Sequence, residues 1–259
     1  MIISFSKYHG AGNDFVIIDG RIEKFELSTP QISFLCHRQL GIGADGLMLL
    51  ENDSNFDFKM RYFNSDGEES TMCGNGGRCL VKFANKLGII NNETLFGGVD
   101  GEHKAIIVDE NTVRLKMIDV KEMIVGDDHY IINTGSPHYV QFVVEVDHID
   151  VPYQGRIVRK TFLPEQDGVN ANFAQLVPEG INIRTYERGV EAETLACGTG
   201  AVATAIATNH WFNETKNSYT LFAKGGILKV SFNKVSENHY EDIWLEGPVT
   251  HVFDGVIDI

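Results

Sequence analysis

The chain has 259 residues, 43% of them hydrophobic, which is enough to build a core in one large domain or in two of ordinary size. Its 36 acidic and 22 basic residues give a net charge of −14, and the basic residues are scattered, so nucleic acid and anionic membranes are not expected partners. No apolar run reaches the length of a membrane helix, the first residues do not resemble a secretion signal, and four cysteines are too few for a disulfide scaffold. We therefore expect a globular, cytoplasmic protein.

Short β-type runs dominate the chain and are separated by its 26 glycines and six prolines. The first helix is predicted over 29–40, with Thr29 as N-cap, Pro30 in the first helical position and Gly41 as the stop. The predicted strands cover residues 2–8, 15–19, 47–51, 56–64, 105–108, 113–118, 139–146, 182–186, 227–232 and 243–245.

Two further helices are predicted, and each begins directly after a cysteine. The helix over 74–87 has apolar residues on most of its surface and a stripe of Arg78, Lys82 and Lys86 that indicates one wet edge. The helix over 198–210 has almost no polar face, so it should be surrounded by protein.

The chain resembles itself when it is shifted by about 124 residues. Cys73-Gly74-Asn75-Gly76 aligns with Cys197-Gly198-Thr199-Gly200, and three other segments align in the same order at nearly the same offset. These segments begin at His9, Gly43 and Arg61, and they align with segments at Thr134, Gly168 and Arg184. The repeat predicts a duplicated α/β domain with a boundary near residue 120.

Cys73 and Cys197 carry the chemical prediction. A helix N-terminus lowers the pKa of a thiol and also binds carboxylates through its N–H groups. If the repeat brings the two sulfurs to opposite sides of one carbon, a thiolate can remove a proton while a thiol delivers one to the other face, which inverts the stereocentre. The amides of Gly74, Asn75, Gly198 and Thr199 would then stabilise the enolate charge.

Other readings of the polar residues have weaker support. Cys36 and Cys79 lie on apolar stripes and are expected to be buried and inert. The cysteines and histidines lack metal-ligand spacing, so no metal site is expected. The glycine-rich segment Gly41-Ile42-Gly43-Ala44-Asp45-Gly46 follows a helix and precedes a strand, which is the reverse of the order in a dinucleotide-binding loop. The segment Lys224-Gly225-Gly226 is typical of a hairpin turn rather than of a pyridoxal phosphate site. Taken alone His138 is typical of a loop histidine and Glu187-Arg188 of a surface pair, but their places in the repeat favour function.

These motifs together resemble the diaminopimelate epimerase family over essentially the whole chain. The resemblance is carried by 7–15, 41–46, 63–67 and 72–79 in the first half and by 135–138, 169–170, 186–190 and 196–201 in the second. It implies two pseudo-symmetric domains of the α+β type, each a mixed sheet curled around a central helix. Domain one would cover 1–119 together with a returning strand at about 248–259, and domain two would cover 120–247.

The family resemblance also implies an activity and a set of site residues. It implies cofactor-independent interconversion of LL- and meso-2,6-diaminopimelate, in lysine and peptidoglycan precursor synthesis, by a cytoplasmic homodimer. Cys73 and Cys197 match the acid/base cysteines, and His138 and Glu187 match residues that assist proton movement. The positions that match substrate contacts are Asn13, Asn64, Gly74, Asn75, Asn170, Glu187, Arg188, Gly198 and Thr199.

Two positions depart from the family pattern, and three alternatives stay open. Gly46 stands where several members have glutamine, and Ser136 stands where many have asparagine, which affects the expected contacts with the distal end of the substrate. A racemase for another amino acid and a PhzF-like isomerase are the nearest alternatives, although Glu187-Arg188 and the paired cysteines disfavour them. A redox-sensing binding protein with a disulfide between Cys73 and Cys197 is an alternative from a different class.

Overall fold

The computed structural model describes residues 1–22 and 25–259. The chain forms two compact units, one made of Met1–Leu115 and Gly247–Ile259, the other of Lys116–Glu246. None of the helices in these described ranges is long and apolar enough to cross a membrane.

The first unit is a mixed sheet packed on a central helix. Its strands are β1 (Ile2–Gly10), β2 (Asn13–Asp19), β3 (Gly46–Glu51), β4 (Phe58–Asn64), β5 (Glu69–Ser70), β6 (Glu93–Gly98), β7 (Gly101–Asp109), β8 (Thr112–Lys116, which ends one residue past the unit boundary) and β18 (Thr250–Asp258). β2 pairs with β3 and β4 with β6 in parallel, whereas β18–β1–β2, β3–β4–β5 and β6–β7–β8 are antiparallel. Helix α2 (Gly74–Lys86) packs against β1, β2, β3 and β7, and α1 (Thr29–Cys36) packs against β3.

The second unit repeats this order of connections. Its strands are β9 (Met123–Val125), β10 (Tyr130–Asn133), β11 (Pro137–Phe142), β12 (Asn170–Val177), β13 (Gly180–Glu187), β14 (Ala192–Thr194), β15 (Ser218–Ala223), β16 (Gly226–Ser236) and β17 (His239–Pro248, whose last two residues belong to the first unit). β11 pairs with β12 and β13 with β15 in parallel, at the places where β2–β3 and β4–β6 are parallel. Helix α4 (Gly198–Phe212) packs against β10, β11, β12, β15 and β16, and α3 (Val151–Thr161) packs against β12, β13 and β14.

The structure corrects several of the predicted elements. Helix α1 ends at Cys36 rather than at Leu40, because His37 adopts an extended backbone and its Nδ1 accepts the N–H groups of Gln39 and Leu40. Its N-cap is Ser28 instead of Thr29. The strand predicted over 139–146 is replaced by β11, which ends at Phe142. Helix α3 was not predicted, although Asp150 accepts the N–H of Tyr153 as an N-cap and a proline lies in its first turn.

The two helices that follow the cysteines are confirmed. Both begin where predicted, at Gly74 and Gly198, and α4 has eleven buried residues among its fifteen. The prediction that Arg78, Lys82 and Lys86 form a solvent-exposed edge of α2 is partly wrong, because Arg78 is completely buried. The Lys224–Gly225 loop joins β15 to β16 as a two-residue hairpin, and Cys36 and Cys79 are both buried. Burial raises the pKa of the Cys36 thiol to about 12 and also raises that of Cys79.

Candidate active site

Cys73 and Cys197 are the N-cap residues of α2 and α4. Both have an extended backbone, and neither side chain caps its own helix. The first bonds of the two helices are from Gly77 N to Cys73 O, at 2.7 Å, and from Ala201 N to Cys197 O, at 3.0 Å. The backbone N–H groups of the three residues after each cysteine precede these bonds and point out of the helix end. Each unit therefore carries a sulfur atom at the positive end of its central helix.

In the first unit, the amide of Asn13 is the immediate partner of Cys73. Asn13 Nδ2 donates to Asp45 Oδ2 at 2.6 Å, which fixes the amide so that Oδ1 faces the helix. Asn13 Oδ1 lies 3.6 Å from Cys73 Sγ and 3.3 Å from Asn75 Nδ2, from which it accepts a hydrogen bond. Since an amide oxygen only accepts, the contact with Cys73 favours a protonated thiol.

A cluster of charged residues holds this amide in place. Asp45 is bonded by Arg38 at 2.6 Å, and Arg38 also bonds Asp14, at 2.8 Å, which in turn pairs with Lys7 at 2.7 Å. Burial alone would raise the pKa of Asp14, but the hydrogen bonds and charges of Arg38 and Lys7 outweigh it and lower the pKa to about 2. Asp14 therefore stays ionised at neutral pH, and the contacts of the cluster fix Asn13 at the start of β2.

Arg78 is completely buried and supports the first turn of α2. Its Nη2 donates to Asn75 Oδ1 at 2.8 Å and its Nη1 to the Gly74 carbonyl at 3.3 Å. Burial lowers the pKa of this guanidinium, whereas a negative charge on Cys73 or Cys79 would raise it. Arg78 thus holds the side chain of Asn75 beside Cys73.

In the second unit, Cys197 lies at one end of a connected set of polar side chains. Cys197 Sγ is 3.5 Å from Thr199 Oγ1, and Thr199 Oγ1 is 2.8 Å from His138 Nε2. Ser136 Oγ lies 3.0 Å from the same nitrogen, and Thr134 donates to the Thr199 carbonyl at 2.9 Å. His138 is completely buried, and burial, together with the charge of Arg188, lowers its pKa to about 3. The imidazole is therefore neutral at physiological pH.

Asn170 joins this set to Arg188. In the parallel pairing of β11 and β12, His138 lies opposite Asn170. Asn170 Nδ2 donates to Ser136 Oγ at 3.0 Å and to the Pro137 carbonyl at 3.2 Å, while its Oδ1 accepts the backbone N–H of Arg188 at 2.9 Å. The guanidinium of Arg188 donates to the Gln166 carbonyl at 2.9 Å. The side chain of Glu187, next to it, accepts a hydrogen bond from the Thr194 hydroxyl.

The remaining residue of the predicted set, Asn64, lies at the end of an inner strand of the first unit. Asn64 is the last residue of β4 and pairs in register with Gly46. A Cβ atom on Gly46 would lie 2.5 Å from Tyr62 Cε2 and 2.6 Å from the Phe63 carbonyl oxygen. The Tyr62 ring therefore occupies the space that a side chain at position 46 would need.

Each unit thus gathers its own share of the predicted residues. Cys73, Gly74, Asn75 and Asn13 are in direct contact or adjacent in the first unit. In the second unit, hydrogen bonds connect Cys197, Thr199, His138, Asn170 and the backbone of Arg188. Prediction from sequence missed Asn172, which contacts His138. The alternation of polar residues in Asn170-Ala171-Asn172 could have indicated it, since residues two apart in a strand share a face.

The low pKa of His138 has a consequence for stability at acid pH. Between the unfolded pKa of about 6.5 and the folded pKa of about 3, the unfolded chain binds a proton that the folded chain does not, so the free energy of unfolding falls as the pH falls. We expect His138→Gln to reduce the slope in this window by up to about 1.4 kcal/mol per pH unit. The measurement is urea unfolding at about pH 7 and about pH 4.5, with exposed His148→Gln as control. Equal slopes in the wild type and in His138→Gln would contradict a neutral His138.

The described residues contain no group of three or more His, Cys, Asp or Glu side chains that could hold a metal ion.

Comparison with known proteins shows the family. The family model described as "Diaminopimelate epimerase" matches residues 5–122 and 130–252. A diaminopimelate epimerase from Flavobacterium psychrophilum is 50% identical over 253 residues, which cover 97% of this chain and 98% of the relative. Another, from Chlorobaculum tepidum, is 40% identical over 260 residues, covering 96% and 99%.

Solved structures with low sequence identity share the fold. A PhzF-family phenazine biosynthesis protein from Bacillus anthracis matches with a TM-score of 0.78 at 12% identity, covering all of both chains. A hydroxyproline epimerase from Agrobacterium vitis matches with a TM-score of 0.70 at 16% identity, covering 99% of this chain and 92% of that one. The fold is thus shared with these two proteins, whereas the sequence match is specific: the chain belongs to the diaminopimelate epimerase family.

Proposed function

We propose that this protein interconverts LL- and meso-2,6-diaminopimelate by moving a proton at one α-carbon between Cys73 and Cys197. The observation that carries the proposal is the occurrence of cysteine as N-cap of the central helix in both units of a protein of this family. One sulfur, as thiolate, takes the α-proton and becomes a thiol. The other, as thiol, gives its proton to the opposite face of the carbanion and becomes the thiolate, so atoms and charge balance.

The amides of both helix ends would hold the reacting end of the substrate. In the proposed complex the N–H groups of Gly74, Asn75, Gly198 and Thr199 bind the α-carboxylate and stabilise the negative charge that develops on it when the proton leaves. This stabilisation is needed because a carbon next to a carboxylate is a weak acid. Asn13, bonded to Asn75 and beside Cys73, would keep the first helix end in the geometry for transfer.

The other polar residues would hold the distal amino-acid head. The Arg188 guanidinium can bind the distal carboxylate through two parallel hydrogen bonds, and the oxygens of Glu187, Asn64 and Asn170 can accept from the ammonium group. Ser136 brings a shorter side chain to its position than the asparagine of many relatives, and Tyr62 fills the space beside Gly46. We expect both to alter contacts with the distal head rather than the proton transfer.

Several further features belong to this proposal. We propose that the reaction needs no pyridoxal phosphate or other cofactor, since two thiols can supply both the base and the acid. The use of thiols is compatible with a cytoplasmic location, where cysteines stay reduced. The net charge of −14 argues against nucleic acid as a partner. A homodimer is supported by exposed apolar side chains on β1 and β18, namely Ile2, Val252, Phe253 and Val256.

An assay in heavy water tests the proposal. Purified protein is incubated with LL-diaminopimelate in the presence of a reductant. The two isomers are then separated, and their masses are measured by mass spectrometry. We expect meso product that carries one deuterium at the inverted carbon, because the sulfur that donates has exchanged its proton with solvent. A panel of one-headed amino acids serves as the comparison and should react far more slowly.

The same assay separates the alternatives. Product without deuterium would contradict two-base proton transfer. A faster reaction with a one-headed amino acid would indicate a racemase of different specificity. No turnover of any candidate in reduced protein, combined with reversible formation of a Cys73–Cys197 disulfide, would favour the redox sensor.

A further inference from the structure

A chain of hydrogen bonds runs from Asn172, in the middle of the sheet of the second unit, to Cys197. Asn172 Nδ2 lies 3.1 Å from His138 Nδ1, His138 Nε2 lies 2.8 Å from Thr199 Oγ1, and Thr199 Oγ1 lies 3.5 Å from Cys197 Sγ. Asn172 and His138 have no solvent exposure. Each hydrogen bond of such a chain can be donated from either side, so that the donors all face Cys197 or all face Asn172. The other partners of Asn172 decide which arrangement forms.

The amide of Asn172 is oriented by two groups of fixed character. Its Nδ2 lies 2.8 Å from the Tyr139 carbonyl oxygen, which can only accept a hydrogen bond. Its Oδ1 accepts from the Thr185 hydroxyl at 2.9 Å, and Thr185 lies directly opposite Asn172 in the pairing of β12 and β13. The nitrogen therefore faces His138, and its second N–H points at the imidazole.

This orientation sets the tautomer of His138. Since Asn172 donates to Nδ1, Nδ1 carries no proton, and the neutral ring carries its proton on Nε2. A second proton on Nδ1 would meet the Asn172 donor, which opposes a charged ring. Asn170 Nδ2 lies 3.5 Å from Nε2, but its two N–H groups are used by the Pro137 carbonyl and Ser136 Oγ.

The tautomer in turn orients the hydroxyl of Thr199. His138 Nε2 lies 2.8 Å from Thr199 Oγ1 and 3.0 Å from Ser136 Oγ, and its proton is donated to the nearer oxygen, that of Thr199. The hydrogen of Thr199 is then directed away from the ring, and Cys197 Sγ is within its reach. With the other tautomer, Thr199 would donate to Nε2 and would turn its lone pairs toward the sulfur. The first arrangement stabilises a thiolate at Cys197, whereas the second opposes it.

We propose that Asn172 is a positioning residue which fixes His138 as the Nε2–H tautomer, so that Thr199 donates to Cys197 and stabilises its thiolate. The proposal rests on the proposed function for its catalytic meaning, since Cys197 must act as a base in one direction of the reaction. Gly200 supports the arrangement, because a Cβ atom there would lie 2.3 Å from Asn172 Oδ1.

The charged groups around the chain from Asn172 to Cys197 do not reverse the direction in which its hydrogen bonds are donated. The Arg188 guanidinium, at the end of β13, acts on His138 and favours the neutral ring. Glu193, on β14, is bonded by Arg184 at 2.6 Å and by Lys224 at 2.8 Å, so its charge is compensated. Glu187 accepts from Thr194, and α4 brings no acidic residue in its first turn.

The first test reads the tautomer directly in the wild-type protein. Nitrogen-15 NMR of histidine-labelled protein, with His138 assigned by its loss in His138→Gln, distinguishes a ring nitrogen that bears a proton from one that does not. At neutral pH we expect a protonated Nε2 and a bare Nδ1. A protonated Nδ1, in a neutral or a charged ring of the wild-type protein, would overturn the proposal.

The second test follows the thiol. Asn172→Asp places an acceptor opposite Nδ1 and is expected to move the proton of the neutral ring to Nδ1, whereas Asn172→Leu keeps the size of the side chain and offers no acceptor. The pH dependence of Cys197 alkylation by iodoacetamide is measured on the Cys197 peptide by mass spectrometry, so that Cys73 does not interfere. We expect the apparent pKa of Cys197 to rise by about one unit in Asn172→Asp and by clearly less in Asn172→Leu.

A matched control and two opposing outcomes complete the design. Asn209→Asp alters another fully buried asparagine of the same unit, whose amide bonds the Glu214 and Lys216 carbonyls, and it should leave the alkylation profile of Cys197 unchanged. Equal effects of Asn172→Leu and Asn172→Asp, or no effect of Asn172→Asp, would overturn the proposal. Neither test measures turnover, so failure of the diaminopimelate assay with these results intact would count against the proposed function alone.

Discussion

Serine in place of either Cys73 or Cys197 is expected to lower the rate of interconversion of LL- and meso-diaminopimelate by about 10³-fold. An alkoxide is far harder to form than a thiolate, so a serine at either position cannot act as the base at neutral pH and is a poorer acid partner. The rates are measured in both directions by chromatographic separation of the isomers. Both variants should fold normally, because serine and cysteine are similar in size.

The matched control for this experiment is Cys36→Ala. Cys36 is buried in the first unit, and the pKa of its thiol is raised to about 12, so it takes no part in proton transfer at neutral pH. Its replacement should cost stability without removing activity. Wild-type rates in Cys73→Ser or in Cys197→Ser would contradict the two-base reaction, whereas a loss in only one direction would assign that cysteine to one isomer.

The second large effect is expected at Arg188. Replacement by methionine removes the guanidinium proposed to bind the distal carboxylate, and we expect kcat/KM for diaminopimelate to fall by about 10²-fold, mainly through KM. Arg188→Lys keeps the charge but loses the paired hydrogen bonds, and an intermediate loss is expected. The backbone N–H of Arg188, which donates to Asn170, is retained in both variants.

Exposed Arg156, on α3, provides the control, since Arg156→Met removes an equal charge without touching the predicted site. A one-headed amino acid that reacts slowly with the wild type should react no more slowly with Arg188→Met, because it has no distal carboxylate to lose. An unchanged KM for diaminopimelate in Arg188→Met would contradict the proposed binding of the distal head.

Much of the architecture could be predicted because its signals are local. The cysteine-glycine segments indicate where α2 and α4 begin, since the residues after them have the apolar pattern of a helix. The internal repeat indicates two similar folding units before any strand is paired. The order of parallel and antiparallel pairs, which is the same in both units, is a consequence of that repeat.

Other elements were missed because their local signals conflict. In α3 a glycine at 155 interrupts the helical pattern, and its close contact with Tyr186 explains it, since a Cβ there would lie 2.3 Å from Tyr186 Cβ. The short strands β5 and β14 have three residues or fewer and depend on their partners β4 and β13. Arg78 was predicted to be solvent-exposed only because its side chain is charged. Its hydrogen bonds to Asn75 and Gly74 allow it to be buried.

The candidate site could be predicted by residue type but not by contact. Cys73, Cys197 and His138 are recognisable from their motifs. The roles of Asn172, Ser136 and Tyr62 depend on which strands are neighbours and in which register, and these are long-range properties. The pairing of His138 with Asn170, and of Asn172 with Thr185, creates a polar chain that no local pattern encodes.

The pairing of β18 with β1 has a consequence for biosynthesis. β1 is translated before residues 116–246, and these residues must in turn be translated before its partner Thr250–Asp258 exists. During that interval a nascent chain presents β1 as an open sheet edge, which is a template for pairing with other chains. The second unit, whose sequence is continuous, can complete its sheet first, so the first unit becomes fully formed only after β18 has been translated.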